Sequence, residues 1–294
     1  MNPFIMHINF AEAGWMSFGK RTVDDICRMA AAFGYSGVEF RGQLPVEYEA
    51  NGFKEYAKAI GEAKKKYGLT DILFGIGVSE SSNADKAARE ASIAEALEKA
   101  KMANEYCGTT LCNTFGQTLK SKVPTVTYSQ YELNGSAAAN ESEYKYCVES
   151  FQKVGEELSK LGMKFAFETH MNYIHDLPEP SKKLVDDINQ ASIGINMDFG
   201  NTVYFPTHPE LEETIDIYGD KLFYTHLKNS APVGTSRMAT SLSQGDINHR
   251  AYIAKLQEVG FTGPIGIEAP RGGDRIHYAK EDIDYVKSIF ASEF

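Results

Sequence analysis

Short apolar runs alternate with longer amphipathic stretches from one end of the chain to the other. The runs that read as strands cover residues 4–10, 37–41, 71–78, 109–113, 164–168, 193–198, 222–226 and 265–268. Most are near-continuous in Ile, Leu, Phe and Val, the pattern of strands covered on both faces, as in a parallel sheet. Between them, apolar positions recur at helical spacing over residues 22–33, 54–67, 85–106, 141–161, 181–189, 209–218, 249–259 and 280–290. The first of these shows the local logic. Thr22 is placed to cap, Asp24 and Asp25 fall in the first turn, and Val23, Ile26, Met29 and Ala30 share one face. Gly34 then stops the helix.

Eight strand–helix units in 294 residues fit a closed (β/α)8 barrel, a TIM barrel, whose usual length is about 250 residues plus insertions. An open doubly wound sheet would want a glycine-rich phosphate loop after an early strand. Gly75-Ile76-Gly77 lacks the third glycine and the helix start. No Pro/Gly/Ser-rich linker divides the chain, so one barrel domain is expected over residues 1–294. Two connections are too long for turns. One covers residues 115–139, with a Val-Pro-Thr-Val-Thr-Tyr stretch at 123–128 and an Asn134-Gly135 turn; the other covers 228–248. Both fall on the strand-to-helix side, where barrels carry their sites.

Charge narrows the partners. Thirty Lys+Arg against 40 Asp+Glu leave a net charge of −10, a poor footing for neutralising phosphates, so no nucleic-acid partner is expected. No apolar run approaches the roughly 20 residues of a membrane helix. The first fifteen residues have neither a basic lead nor a long apolar core, which reads as no secretory signal. Cys27, Cys107, Cys112 and Cys147 show no Cys-x-x-Cys spacing and read as reduced core thiols in a cytoplasmic protein.

The chemistry sits at the strand ends. Glu168 closes KFAFE, Asp198 closes IGINMD, His226 closes LFYTH and Glu268 closes IGIE, at spacings of 30, 28 and 42 residues. Each acid alone reads as a helix cap or loop anchor. Four metal-capable groups at four successive strand ends read differently, because burying three carboxylates around one imidazole is very costly without a cation. A hard-oxygen set with a single nitrogen suits Mn²⁺ first, with Mg²⁺ or Co²⁺ as alternatives. His170 lies two residues past Glu168 and shares its side of an extended backbone, as a base or hydroxyl partner. Lys228 bears the same relation to His226, and would hold a substrate hydroxyl or phosphate. Arg271 follows the eighth strand beside Gly272 and Gly273, as a substrate contact at the mouth. Glu39, on the second strand, would meet a substrate hydroxyl or cap a helix. Trp15 and Phe18 would form an apolar wall or join the core. His7, His175, His208, His249 and His277 fall away from the corresponding strand ends in this reading.

FAFETH, INMDFGN, THLKN and GIEAPR, together with GVEF on the second strand, resemble the signature segments of the xylose-isomerase-like barrel superfamily of sugar isomerases and epimerases. Within it the chain is similar to the ketose 3-epimerases and to sugar phosphate isomerase/epimerase-like proteins. The resemblance implies that Glu168, Asp198, His226 and Glu268 hold a divalent metal, that the two glutamates move protons, and that the protein is a homo-oligomer acting on a small sugar or sugar derivative. Two positions depart from the epimerases: Asn201 stands where they carry a histidine, and Pro232 stands where they carry a substrate-binding arginine, with Arg237 further on. The chemistry implied is removal of a proton next to a carbonyl by one carboxylate and its return by another on the opposite face. An alternative applies the same site to a 3-oxo-glycoside, as in C-glycoside deglycosidases, with His170 as base and a small β-rich partner subunit. An apurinic endonuclease of this fold would need several more histidines at strand ends.

Overall fold

In a computed structural model, which describes residues 2–121, 128–269 and 271–291, β1 (Phe4–His7) pairs in parallel with β2 (Gly37–Arg41) on one side and with β10 (Ile265–Ile267) on the other. Between those neighbours run β3 (Asp71–Gly75), β4 (Leu111–Thr114), β5 (Lys164–Glu168), β6 (Ile193–Asp198) and β7 (Leu222–Leu227), closing a ring of eight strands. The remaining strands, β8 (Ser230–Val233) and β9 (Ser236–Ala239), form an antiparallel hairpin outside the ring. That hairpin occupies the 228–248 connection. The 123–128 stretch of the other long connection lies outside the described residues, apart from the backbone of Tyr128, which opens a 3₁₀ turn.

The helices follow the amphipathic segments: α1 (Val23–Phe33), α2 (Gly52–Tyr67), α3 (Lys86–Cys107), α4 (Glu141–Leu161), α5 (Pro178–Ile188), α6 (Phe199–Thr202), α7 (Leu211–Tyr218), α8 (His249–Glu258) and α9 (Arg275–Ala291). Thr22 and Asp25 form a reciprocal capping box at α1, and Asn140 and Glu143 form another at α4. Gly34 ends α1 at φ +84°, a backbone that a side chain would strain. α5 starts three residues before its expected position because Pro178 supplies a ready-made first turn. The first strand stops at His7, not Phe10: the Asn9 N–H turns to His7 Nδ1 at 3.3 Å, and a 3₁₀ turn replaces the ladder over Ile8–Phe10.

Most of the core lies between the outward strand faces and the helices, where the four cysteines are buried and free. Inside the ring, Ile5, Leu73, Ala166 and Tyr224 form one apolar layer, one residue from each odd-positioned strand, as barrel closure requires. On the alternate strands, the inward positions in register with these residues turn polar. Glu39 of β2, Asn113 of β4 and Asn196 of β6 form a hydrogen-bonded layer. Gly266 of β10 completes it, since a Cβ there would lie 2.3 Å from Tyr224 Oη and 2.6 Å from His226 Cδ2. This polar floor carries the site.

Candidate active site

Glu39 is almost fully buried (1% exposed). Its Oε2 accepts from Tyr224 Oη at 2.7 Å and from His226 Nε2 at 2.8 Å, and its Oε1 accepts from Asn113 Nδ2 at 3.0 Å. Burial would raise its pKa, but the charge and hydrogen bond of His226 outweigh it and hold Glu39 down at about 2. An ionised Glu39 takes the His226 Nε2–H and turns Nδ1 into the barrel mouth. Glu39 therefore orients His226: it lines the inner end of the cavity, but both its oxygens are taken by His226, Tyr224 and Asn113.

Around His226 Nδ1 stand Glu268 Oε2 at 3.1 Å, Glu168 Oε2 at 3.6 Å and Asp198 Oδ2 at 3.9 Å. One ligand atom from each of the four residues lies within 4.8 Å of the others. The second oxygen of each carboxylate is held from behind. Glu168 Oε1 accepts from Asn201 Nδ2 at 3.1 Å, Glu268 Oε1 from Asn9 Nδ2 at 3.1 Å, and Asp198 Oδ1 from the Asn201 N–H at 3.1 Å. Lys228 Nζ pairs with Asp198 Oδ2 at 2.9 Å and Glu268 Oε2 at 3.3 Å, and donates to Asn201 Oδ1 at 3.2 Å. That ammonium apart, Asp198 Oδ2, His226 Nδ1 and Glu268 Oε2 are buried with no hydrogen bond. Buried polar atoms converging on one point form a set able to hold a cation.

The proton affinities report the same crowding. Burial and the charges of Glu268 and Asp198 raise Glu168 to about 8, against the pull of His226 and Lys228. Burial opposes a charge on His226, but Glu39 and Glu168 hold its pKa well above the usual imidazole range. Burial also pushes Glu268 up; Lys228 and His7 outweigh it and hold it well below the usual carboxylate range. A cation bound among these oxygens would relieve the carboxylate repulsion that adds to the Glu168 shift and would compete with the proton on His226.

The mouth opens into a cavity of about 750 Å³ whose walls include Glu168, Glu268, His170, Trp15, Arg41 and Arg275. His170 stands there with Nδ1–H donating to the Met171 carbonyl at 2.9 Å, which leaves Nε2 as its basic nitrogen. Burial and the Lys228 charge lower its pKa, so it is neutral and able to accept a proton. His175 is also neutral, pushed down by burial to about 3. It accepts the Gly116 N–H at Nε2 and donates from Nδ1 to the Glu168 carbonyl at 2.6 Å, tying the end of β5.

Two further placements differ from expectation, and a third resolves one that was open. Arg271 turns away from the cavity: it donates to the Ala269 carbonyl at 2.9 Å, to buried Asp282 at 2.7 Å and to Glu281 at 2.8 Å, over the Tyr278 ring. A buried carboxylate on α9 claims the guanidinium. Arg275, one turn on, lines the cavity instead, donating to the Asn9 carbonyl at 3.2 Å. His7 does close a strand and lines the mouth, 3.8 Å from Glu268, because β1 is shorter than its apolar run. Trp15 and Phe18 part company: Phe18 is buried in the core and Trp15 stands 74% exposed at the cavity rim. Asn9 and Asn113, which also hold the carboxylates, are legible in sequence only as polar residues near strand ends, whereas Asn201 stands out as a departure from the epimerase pattern.

Two stability predictions follow from these placements. Arg271→Ala, which strands Asp282, should lower unfolding free energy by about 3 kcal/mol and leave turnover unchanged; a loss of turnover with intact stability would restore the substrate contact. Asp176 is buried, accepts the Ser136 N–H at 3.0 Å, and is raised by burial to about 7. The native chain then keeps a proton that the unfolded chain has released, so stability falls as pH rises from about 4 to about 7 and is level above. Asp176→Asn should gain on the order of 2 kcal/mol over the parent at pH 8 and little at pH 4. Parallel urea-unfolding curves at both pH values would contradict this.

Fold and site together define a (β/α)8 barrel with a metal-capable carboxylate–histidine centre at the C-terminal ends of its strands. The chain belongs to the xylose isomerase-like TIM barrel family, whose profile matches residues 27–289. Inosose dehydratase of Clostridium perfringens is 24% identical over 173 residues, a match spanning 53% of this chain and 58% of that protein. Among solved structures, D-allulose 3-epimerase from Methylomonas sp. superposes with a TM-score of 0.73 at 15% identity, covering 98% of each chain. A xylose isomerase-like TIM barrel protein from Mycobacterium smegmatis, solved in complex with magnesium, superposes with a TM-score of 0.72 at 18% identity over 98% of this chain and 96% of that one. Among the described residues, no helix is long and apolar enough to cross a membrane.

Proposed function

We propose that the protein is a divalent-metal-dependent isomerase or epimerase of a monosaccharide or sugar derivative, working by proton removal next to a carbonyl. The observation that carries this reading is the convergence of Glu168, Asp198, His226 and Glu268 on one point, with one ligand atom from each within 4.8 Å of the others. Those four residues would hold the cation, Mn²⁺ first and Mg²⁺ or Co²⁺ as alternatives. Bound there, it supplies Lewis-acid polarisation of the substrate's carbonyl and hydroxyl oxygens.

The chain's own groups do the rest. Glu168 and Glu268 come from β5 and from the end of β10, on opposite sides of His226 in the ring. One, ionised, takes the proton from the carbon beside the carbonyl, and the other, protonated, delivers its own proton to the opposite face, which inverts that carbon. Asn113 and Asn201 fix the Glu168 carboxylate, and Asn9 fixes that of Glu268, so neither rotates away from the reacting carbon. Lys228 places a positive charge beside the oxygens on which negative charge develops in the enediolate.

A second reading rests on His170. A neutral imidazole on the cavity wall, with Nε2 as its basic nitrogen, could take the proton while a leaving group departs from the next carbon. The C. perfringens relative is named as a dehydratase, and loss of water is an elimination of this kind. A 3-oxo-glycoside would lose its aglycone in the same way, with a small β-rich subunit as partner; the first reading expects a homo-oligomer. The test is deuterium uptake from solvent into a panel of ketoses, inososes and 3-oxo-glycosides, with and without added Mn²⁺. Exchange that requires the metal is expected. Metal-loaded protein that exchanges no compound of the panel would refute both readings.

A further inference from the structure

Trp15 is the one tryptophan of the chain, and its exposure is built rather than loose. It sits at the tip of a tight turn between β1 and α1, closed by Ala13 N–H to Ser17 O at 2.9 Å and Ser17 N–H to Gly14 O at 3.2 Å. The turn is tied to the next loop by Val46 N–H to Met16 O at 3.0 Å and Ser17 Oγ to Glu47 at 2.8 Å. Beneath the indole lies the Arg41 guanidinium, 4.1 Å from the ring centroid. Arg41 is itself clamped by two bonds of 2.6 and 2.9 Å to Glu12, a residue 6% exposed. The indole is therefore a rigid plate with a cation against one face, and the rest of the ring is open at the cavity rim.

The plate and the metal-capable centre share one cavity and one stretch of backbone. Asn9 holds Glu268 at 3.1 Å, and Glu12, three residues on, holds Arg41. A cavity of about 750 Å³ lies in the range that encloses drug-sized molecules; a free hexose is much smaller. A sugar seated against Glu168 and Glu268 leaves the Trp15 side of the cavity to be filled. We propose that Trp15 is one wall of an outer subsite that stacks a flat ring attached to the sugar, so that the substrate is a keto sugar carrying a planar substituent. This inference rests on the sugar-at-the-centre reading given above.

The single tryptophan makes the test direct. Metal-loaded protein is titrated with the phenyl and the methyl glycosides of glucose, galactose and mannose, following tryptophan emission and binding heat. For at least one sugar, the phenyl glycoside should change Trp15 emission and bind about tenfold tighter than its methyl counterpart. Trp15→Leu should erase that difference in binding heat while leaving the methyl glycoside's affinity unchanged. Equal affinities for every phenyl and methyl pair would overturn the proposal. So would a Trp15→Leu variant that weakens both alike, or emission that ignores phenyl glycosides and shifts only with protein concentration, the sign of a second copy covering the ring. The two readings fail separately. A phenyl preference without deuterium exchange into any sugar keeps the subsite and removes the reaction; exchange into free ketoses without a phenyl preference does the reverse.

Discussion

Glu168→Gln and Glu268→Gln are each expected to lower metal-dependent deuterium exchange by at least about 10³-fold, the combined loss of a proton carrier and of an anionic metal ligand. Glutamine keeps the shape of the side chain, so Asn201 can still bond position 168 and Asn9 can still bond position 268. The fold should survive. Metal-free Glu168→Gln should be at least as stable as the parent, since a carboxyl raised to about 8 by burial and neighbouring charge is a poor tenant of its own site. The two variants together test the pairing of bases: if one carboxylate merely binds the metal, its glutamine variant will recover exchange when Mn²⁺ is raised to saturation. Full exchange in either variant at ordinary metal concentration would end the two-carboxylate mechanism.

Glu39 offers the second large effect, and it separates a positioning role from a substrate contact. Glu39→Gln should weaken metal affinity by about 10–100-fold, the usual result of removing the carboxylate behind a ligating histidine. Competition with a chelator measures this without turnover. KM for the sugar at saturating metal should stay near its parent value, because Glu39 is occupied by His226, Tyr224 and Asn113. Glu39→Ala goes further. It leaves Tyr224 Oη and the buried His226 Nε2–H without their carboxylate acceptor and should cost about 3–5 kcal/mol of stability. Unchanged metal affinity with a raised KM would return Glu39 to the substrate.

What could be read from the chain, and what could not, divides along the range of the interactions. The periodicities are local. An apolar run bounded by Gly or Pro, a helix opened by Thr22 or Asn140, and a stop at Gly34 each lie within a dozen residues, so the order of elements and the closed barrel follow from them. The quartet was legible for the same reason. Strand period places the last residue of each run on the inward side, and Glu168, Asp198 and His226 close runs that the structure leaves almost unchanged, with Glu268 one residue beyond β10. Trp15 and Phe18 were ambiguous because an aromatic in a loop serves a core or a rim equally well in one dimension.

The amino-acid order by itself determined that Glu168, Asp198, His226 and Glu268 reach the mouth of the barrel, since alternation along a strand is a property of each strand alone. Tertiary structure decided whom they meet. Barrel closure brings Glu39 against His226 across 187 residues of chain, and no local window holds that distance. It also gave Arg271 to Asp282 and left the cavity to Arg275, because a long flexible cation goes to whichever buried carboxylate most needs its charge.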